Sequence, residues 1–207
     1  MDKLSGMVLL VRGVLFGTFA VEGVGAALYA IQFIPEYGVA KGIWYSIFHA
    51  VSAFCNAGID ILGDSSLTAY VTNPIVNLTT MILIILSGLG FTVWFDIIAN
   101  GKKLIRREMP RRWWFTRLKL QSKLAIIMTI LLIISGAVFV FLAEYDNPET
   151  LGNLSLGNKV MASFFQSVTN RTAGFATISQ NALHTESKLF HCILMFIGGS
   201  PGGTAGG

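Results

Sequence analysis

The charged residues of this 207-residue chain are confined to a few short stretches, and this distribution limits its fold more than any single motif. Only 13% of the residues are charged, about half the share typical of soluble domains. Four apolar segments lie between the charged stretches, at about 7–34, 74–100, 123–143 and from about 187 onward. A helix needs roughly twenty apolar residues to cross a bilayer core. The sequence therefore predicts an all-α integral membrane protein.

Two further apolar segments are too short to cross a membrane. Gly42 to Phe54 holds about thirteen residues and Asn158 to Thr169 about twelve. Each is followed by a short irregular stretch, and non-helical backbone at membrane depth persists only inside protein or beside a water-filled path. We therefore expect two re-entrant pore helices, each followed by a loop.

The basic residues indicate which side of the membrane each loop faces. Nine of the fifteen Lys and Arg residues lie between Lys102 and Lys123, where Glu108 is the single acid. A short basic loop between two apolar spans is typical of the cytoplasmic side. We expect loop 101–123 to be cytoplasmic and both re-entrant segments to enter from outside. The positive charge is thus assigned to topology and not to a nucleic-acid partner.

An internal repeat connects the two short segments. Residues 46–52 align with residues 163–169 at an offset of 117, and residues 56–59 align with residues 172–175 at an offset of 116. The unit is helix, pore helix, loop with Ala-Gly, helix, and both copies have the same orientation. Parallel copies of this unit predict an axis along the membrane normal.

An ion pore gives this repeat a physical purpose. Selectivity filters replace the ion's water with rings of backbone carbonyls, and small residues let these carbonyls turn toward the axis. Gly58 and Gly174 are expected at these turns, with the partially negative C-terminal end of each pore helix directed at the cation path. Two copies supply two quarters of a ring.

Several motifs carry a resemblance to a known family. They are Phe48–Phe54 before Asn56-Ala57-Gly58, then Gly88–Val93, Asn170–Phe175 and Met195–Ser200. They resemble the superfamily of Trk, Ktr and HKT potassium transporters, most closely the Ktr/NtpJ-type membrane subunit. The resemblance extends over essentially the whole chain, and the motifs keep the family's order.

The resemblance implies four parallel helix–pore helix–filter–helix repeats, of which this chain would hold two. Residues 1–100 would be the second repeat, 101–123 the basic loop, and 124–207 the third repeat, ending inside a glycine-rich gating loop. It further implies potassium uptake across the bacterial plasma membrane by a multi-pass homodimer. A cytosolic nucleotide-binding subunit would regulate uptake, with sodium as an activator in many members and no cofactor in this chain.

The resemblance also implies the site residues. The filter backbone would be formed by Cys55, Asn56, Ala57, Gly58, Arg171, Thr172, Ala173 and Gly174. The gating loop would include Gly199, Ser200, Gly202, Gly203, Thr204 and Gly206. Cys55 and Ile59 depart from the asparagine and phenylalanine common in the family, but carbonyls, not side chains, would bind the ion.

Some individual residues leave alternatives open. Glu22 lies in the middle of the first span, where an acid is either an ion-pathway residue or a packing residue that has found a partner. Arg171 is expected to point away from the cations and to support the loop through carbonyl or carboxylate partners, with Asp60 among them. Asp60 and Asp64 either concentrate cations at the mouth or form a solvated turn.

Three further expectations follow. Asp96 is expected near the membrane interface, snorkelling or pairing with lysines. Cys55 and Cys192 have no metal or disulfide spacing and are expected to be packing residues. The stretch from Gly199 to Gly207 is expected to break a helix at membrane depth rather than to act as a linker, and it lacks the Gly-Lys-Ser/Thr of a phosphate-binding loop.

Other function classes fit the sequence less well. A cation symporter that couples potassium or sodium influx to another ion remains the alternative. A membrane-embedded enzyme would need paired acids, a Cys–His pair or a His cluster at membrane depth, and the sequence offers none, so the chain is expected not to be an enzyme. A scaffold subunit would not need two Ala-Gly loops on one face.

Overall fold

The computed structural model describes residues 3–63, 65–108, 110–171 and 173–205, with side chains from Val8 onward. Asp64, Thr172, Gly206 and Gly207 lie outside the described residues. All regular elements of the described residues are helical, so the predicted all-α class is confirmed. The α-helices are α1 (Lys3–Tyr37), α2 (Val39–Phe54), α3 (Pro74–Leu89), α4 (Phe91–Ile105), α5 (Trp114–Arg117), α6 (Leu120–Glu144), α7 (Leu156–Thr169) and α8 (Thr185–Ile197), and 3₁₀ turns cover Thr68–Tyr70 and Arg111–Trp113.

The same order of helices occurs twice. A long helix, α1 or α6, is followed by a shorter one, α2 or α7, packed against it. Residues 8–37 of α1 and all of α6 are long and apolar enough to cross a membrane. Helices α2 and α7 have 16 and 14 residues, or about 24 and 21 Å, which is less than a bilayer core of about 30 Å.

The second predicted span differs from the expectation. Residues 74–100 do not form one straight helix: α3 and α4 meet at an angle of 95°. The break is at Gly90, whose φ of +87° and ψ of 149° are incompatible with a helix. The start of α3 follows the expected rule, because Pro74 occupies the first turn and the Asn73 side chain accepts hydrogen bonds from the two N–H groups that follow it.

Apolar side chains cover much of the outside of the bundle, and many hydroxyl groups lie inside it. Phe16 and Leu142 are largely exposed, as lipid-facing residues of a membrane helix would be. Buried Ser46 and Ser163, which are equivalent in the two copies, each donate to the carbonyl four residues earlier. These local bonds satisfy the hydroxyls without a partner helix.

The expectation for the two cysteines was wrong, and Asp96 differs in part from what was expected. Cys55 and Cys192 are free and exposed on this chain instead of packed inside it, because the burial habits of cysteine in water-soluble proteins do not apply to a surface made for lipid or protein. Asp96 is buried, and its carboxylate accepts from the backbone N–H of Lys119 at 2.8 Å and the side chain of Asn100 at 3.0 Å. It therefore binds the N-terminus of α6, where a negative charge is favourable, instead of a lysine side chain.

Candidate functional site

The two Ala-Gly loops, 116 residues apart in sequence, lie in backbone contact. A Cβ atom added at Gly58 would collide with the carbonyl oxygen of Ala173 and would lie 2.7 Å from Cα of Gly174. Both glycines have positive φ, +64° and +98°, which side chains strongly disfavour. Glycine is therefore required at Gly58 for both space and conformation, and at Gly174 mainly for conformation.

Each loop is held to its pore helix by the same pair of hydrogen bonds. In the first copy, Ser52 Oγ donates to the carbonyl of Ile59 at 2.6 Å, and the N–H of Ala57 donates to the carbonyl of Ser52 at 2.9 Å. In the second copy, Thr169 Oγ1 donates to the carbonyl of Phe175 at 2.7 Å.

The second bond also has a counterpart. The N–H of Ala173 donates to the carbonyl of Thr169 at 2.9 Å. Every pair of equivalent atoms is separated by 116 or 117 residues, the offsets of the sequence repeat. The two loops therefore share one backbone arrangement, which is what a ring built from repeated segments requires.

Helices α2 and α7 both present their C-terminal ends to an Ala-Gly loop. Helix α2 ends at Phe54 and α7 ends at Thr169, one and two residues before the respective loops. The last carbonyls of a helix have no partner within the helix and carry its partial negative charge. Such ends favour a cation, and glycine and alanine carbonyls supply neutral oxygens next to them.

The side chain of Arg171 is directed away from this pair of loops and toward the glycine-rich segment. It is buried, and its Nε donates to the carbonyl of Gly198 at 3.3 Å. This geometry fits the expected carbonyl partner, and Asp60 is not the partner seen. Arg171 and residues 197–201 line an apolar cavity of about 510 Å³ beside α6.

The glycine-rich segment after α8 packs on the break between α3 and α4. The N–H of Ser200 donates to the carbonyl of Gly88 at 2.9 Å, and the N–H of Phe91 donates to the carbonyl of Gly202 at 3.0 Å. A Cβ at Gly203 would collide with the carbonyl of Ser87. The segment thus binds both sides of the break at a distance that only glycine permits.

Thr204 joins this segment to the first Ala-Gly loop. Its hydroxyl donates to the carbonyl of Phe54, the last residue of α2, at 2.8 Å, and accepts from the Asn56 side-chain amide at 3.0 Å. The same amide donates to Ser87 Oγ at 2.8 Å. Asn56 has φ of +51°, and its side chain thus connects the base of the filter loop with α3 and with the glycine-rich segment.

Comparison with known proteins assigns the chain to a family. Residues 2–207 match the family model of TrkH, the cation transport proteins. The chain belongs to the TrkH family. The expected place in the Trk/Ktr superfamily is thereby confirmed, and the relatives described next support the Ktr/NtpJ type.

This TrkH-family chain is similar to several named proteins. It is 40% identical over 207 residues to the potassium/sodium uptake protein NtpJ of Enterococcus hirae, covering 100% of this chain and 43% of that protein. It is 37% identical over 204 residues to the Ktr system potassium uptake protein B of Bacillus subtilis, covering 99% and 43%. With the protein of the same name from Vibrio alginolyticus it shares 34% over 198 residues, covering 96% and 41%. The chain therefore spans about two fifths of the length of these relatives.

Sequence reasoning missed three side chains that hold the two Ala-Gly loops. Ser52 and Thr169, which fix the two loops, were aligned as equivalent residues, and two hydroxyls at one repeat position were the signal that could have identified them. Ser87 carried no such signal, because a serine in an apolar helix is ordinary. Its role depends on a contact with Asn56, 31 residues away.

The other candidate residues lie in different environments. Glu22 is buried on α1. Among the residues that the structure describes, no three His, Cys, Asp or Glu side chains are grouped as a metal site would need, and potassium would in any case be cargo.

Proposed function

We propose that the protein carries potassium ions into the bacterial cell through a pore to which this chain contributes two filter segments and a gating loop. The observation that carries the proposal is the contact between Gly58 and Gly174, in two loops with equivalent hydrogen bonds. The family and the names of the relatives support cation uptake as the activity.

In the proposed mechanism, a potassium ion loses water as it enters the filter and binds main-chain carbonyls. These carbonyls belong to residues 55–58 and 171–174, with further repeats of the full-length protein completing the ring. Backbone oxygens need not reorganise when the ion arrives, because Ser52 and Thr169 already hold the residues that follow each glycine. The ion then moves down its electrochemical gradient.

The glycine-rich loop, residues 199–206, is the proposed gate. Thr204 binds the end of α2 next to the filter, while Ser200 and Gly202 bind the break between α3 and α4. A loop docked in this way obstructs the path at the inner end of the filter. Undocking requires these hydrogen bonds to break, so any partner that pulls on α4 or α8 can open the path.

We place basic loop 101–123 in the cytoplasm, where a nucleotide-binding regulatory subunit would contact a homodimer of the full-length protein. The nine Lys and Arg residues of this loop support the cytoplasmic placement, because basic residues are enriched in cytoplasmic loops. In a variant whose exposed Cys55 and Cys192 are replaced by serine, a cysteine introduced at Arg112, which is exposed, should react with a membrane-impermeant maleimide only after the cells are permeabilised. Labelling of intact cells would reverse the topology.

The decisive experiment is uptake of potassium and sodium by a potassium-uptake-deficient bacterium that expresses the full reading frame. Gly58→Ser should abolish potassium selectivity, because its Cβ has no room beside Ala173. Gly174→Ser should weaken selectivity less, because the nearest atom to its Cβ lies at 3.5 Å and only the positive φ opposes it. Gly157→Ser, with nothing within 4 Å, is the matched control.

Full potassium-over-sodium discrimination in both filter variants, at normal amounts in the membrane, would contradict the filter assignment. Loss of discrimination in Gly157→Ser would show that the assay reports general damage to the fold.

A symporter is the second candidate, and the name of the Enterococcus relative, which includes sodium, favours it. The two mechanisms differ in how flux depends on a second ion. In vesicles with potassium as the only permeant cation, a passive pore conducts at a rate set by the membrane voltage. A symporter stops until the coupled ion is added.

A further inference from the structure

A polar cavity of about 690 Å³ lies just beyond the two filter loops. Its walls come from residues 60–71 after the first loop, residues 149–150 before α7, and residues 176–181 after the second loop. The N–H of Leu67 donates to the carbonyl of Ala176 at 2.9 Å, and this bond joins the two post-filter stretches. The cavity is therefore built by both copies of the repeat.

The charged side chains that line this cavity are acidic, and Lys188 lies at its edge, where its Nζ donates to the carbonyl of Asn181 at 2.9 Å. Ten of its thirteen lining residues are polar or charged; two of these, Asp60 and Glu149, are acidic, and none of the thirteen is basic. By contrast, the cavity beside Arg171 is walled mainly by aliphatic side chains of α6. The polar, acidic lining suits water and a cation better than an apolar molecule.

Two oxygen atoms at this cavity are buried without a hydrogen-bond partner among the described residues. They are Oγ1 of Thr177, a residue with 1% of its surface exposed, and Oδ1 of Asp60. Leaving a polar group buried and unpaired costs about 1–3 kcal/mol, and native proteins rarely retain such groups without a reason. A carboxylate and a hydroxyl are hard oxygen ligands suited to alkali cations.

His49 is the other group that Asp60 could serve. His49 Nε2 is also buried without a partner among the described residues. The carbonyl of Tyr45 only accepts, so His49 Nδ1 donates to it at 2.7 Å. In neutral His49, Nε2 is then an acceptor and cannot donate to the Asp60 oxygen. That oxygen stays free for a cation.

We infer that this cavity is a vestibule that binds an alkali cation on the Asp60 carboxylate and the Thr177 hydroxyl before the ion enters the filter. Asp60 follows Gly58 by two residues and Thr177 follows Gly174 by three, so the bound ion waits at the filter mouth. The volume admits on the order of twenty water molecules, and the ion therefore keeps much of its hydration. This inference rests on the proposed function.

The test is rubidium uptake by cells that express the full-length protein, measured against external rubidium concentration at low ionic strength. Asp60→Asn and Thr177→Val should each raise the half-saturating concentration about threefold to tenfold, since a site that concentrates cations acts on capture. Maximal rate and potassium-over-sodium selectivity should not change. The effect of Asp60→Asn should shrink with added impermeant salt, which screens charges.

Asp146→Asn is the matched control, because Asp146 is an exposed external acid that does not line the cavity. An unchanged half-saturating concentration in both vestibule variants would overturn the inference. A lower amount of Asp60→Asn protein with an unchanged half-saturating concentration would also overturn the inference. In that case the Asp60 carboxylate would stabilise His49 and the fold instead of binding a cation.

The vestibule and the proposed transport function can be tested separately. If the unaltered protein takes up no rubidium, the transport proposal fails while the vestibule remains testable. Equilibrium binding of isotopic rubidium to the purified full-length protein should then still be weakened threefold to tenfold by Asp60→Asn, and equal binding would overturn the vestibule as well.

Discussion

The hydroxyl of Thr204 joins the glycine-rich loop directly to the first Ala-Gly loop, the proposed filter segment. It donates to the carbonyl of Phe54 at 2.8 Å and accepts from the amide of Asn56 at 3.0 Å. Valine has nearly the shape of threonine but no hydroxyl. Thr204→Val therefore removes both bonds without creating a large cavity.

The size of the effect follows from these two bonds. An intramolecular hydrogen bond contributes about 0.5–1.5 kcal/mol net, so the loss of these two part-buried bonds should cost the docked loop about 1–3 kcal/mol. At about 1.4 kcal/mol per factor of ten, the ratio of docked to undocked loops should fall about fivefold to 150-fold. The Asn56 amide keeps its bond to Ser87, and the base of the filter loop should therefore remain in place.

The assay is potassium flux through the full-length protein in vesicles without its regulatory partner, where a docked loop limits the rate. Thr204→Val should raise this flux several-fold and leave selectivity unchanged. Thr204→Ser, which retains the hydroxyl, should behave like the unaltered protein. Equal flux in the valine and serine variants, or a lower flux in valine at the same amount of protein, would refute a docking role for Thr204.

Two further predictions concern stability, measured by thermal unfolding of the detergent-purified full-length protein. Gly136→Ala should lower the melting temperature, because its Cβ would collide with Ser167 Oγ where α6 meets α7, and overpacking costs about 1–3 kcal/mol. The control, Gly157→Ala, meets nothing within 4 Å and should keep the melting temperature of the unaltered protein. Equal melting temperatures of the two variants would refute the close approach of α6 and α7. Glu144→Gln should lower the free energy of unfolding by about 2–4 kcal/mol, because the buried carboxylate accepts four hydrogen bonds. Glu149 is exposed, so Glu149→Gln is the control. An equal loss of stability in the two variants would contradict the structural role of the Glu144 carboxylate.

The sequence alone predicted the elements whose cause is local. The apolar segment 42–54 is too short for a bilayer, and the observed α2 differs from it only by three more residues at its start. The turns at Gly58 and Gly174 were predictable for the same reason, because Ala-Gly recurs at one offset after α2 and α7. Length, composition and repetition are properties of the chain itself.

The break between α3 and α4 was not predictable in this way. Residues 74–100 read as one span because apolar residues continue on both sides of Gly90, and glycine is common in membrane helices. The break is stabilised by a partner from far along the chain. The N–H of Phe91 donates to the carbonyl of Gly202, whereas in a continuous helix it would donate to a carbonyl of the same helix. Hydropathy carries no information about such a contact.

The position of that partner connects the break to the filter. The glycine-rich loop bonds Gly88 before the break through Ser200, and Phe91 after it through Gly202. A change in the 95° angle between α3 and α4 moves these two anchor points relative to each other and strains the two bonds. The loop also carries Thr204, which binds the filter base. In the proposed gate, the angle at the break and the docking of the loop are therefore one equilibrium, and a partner that moves α4 changes ion flux without touching the filter.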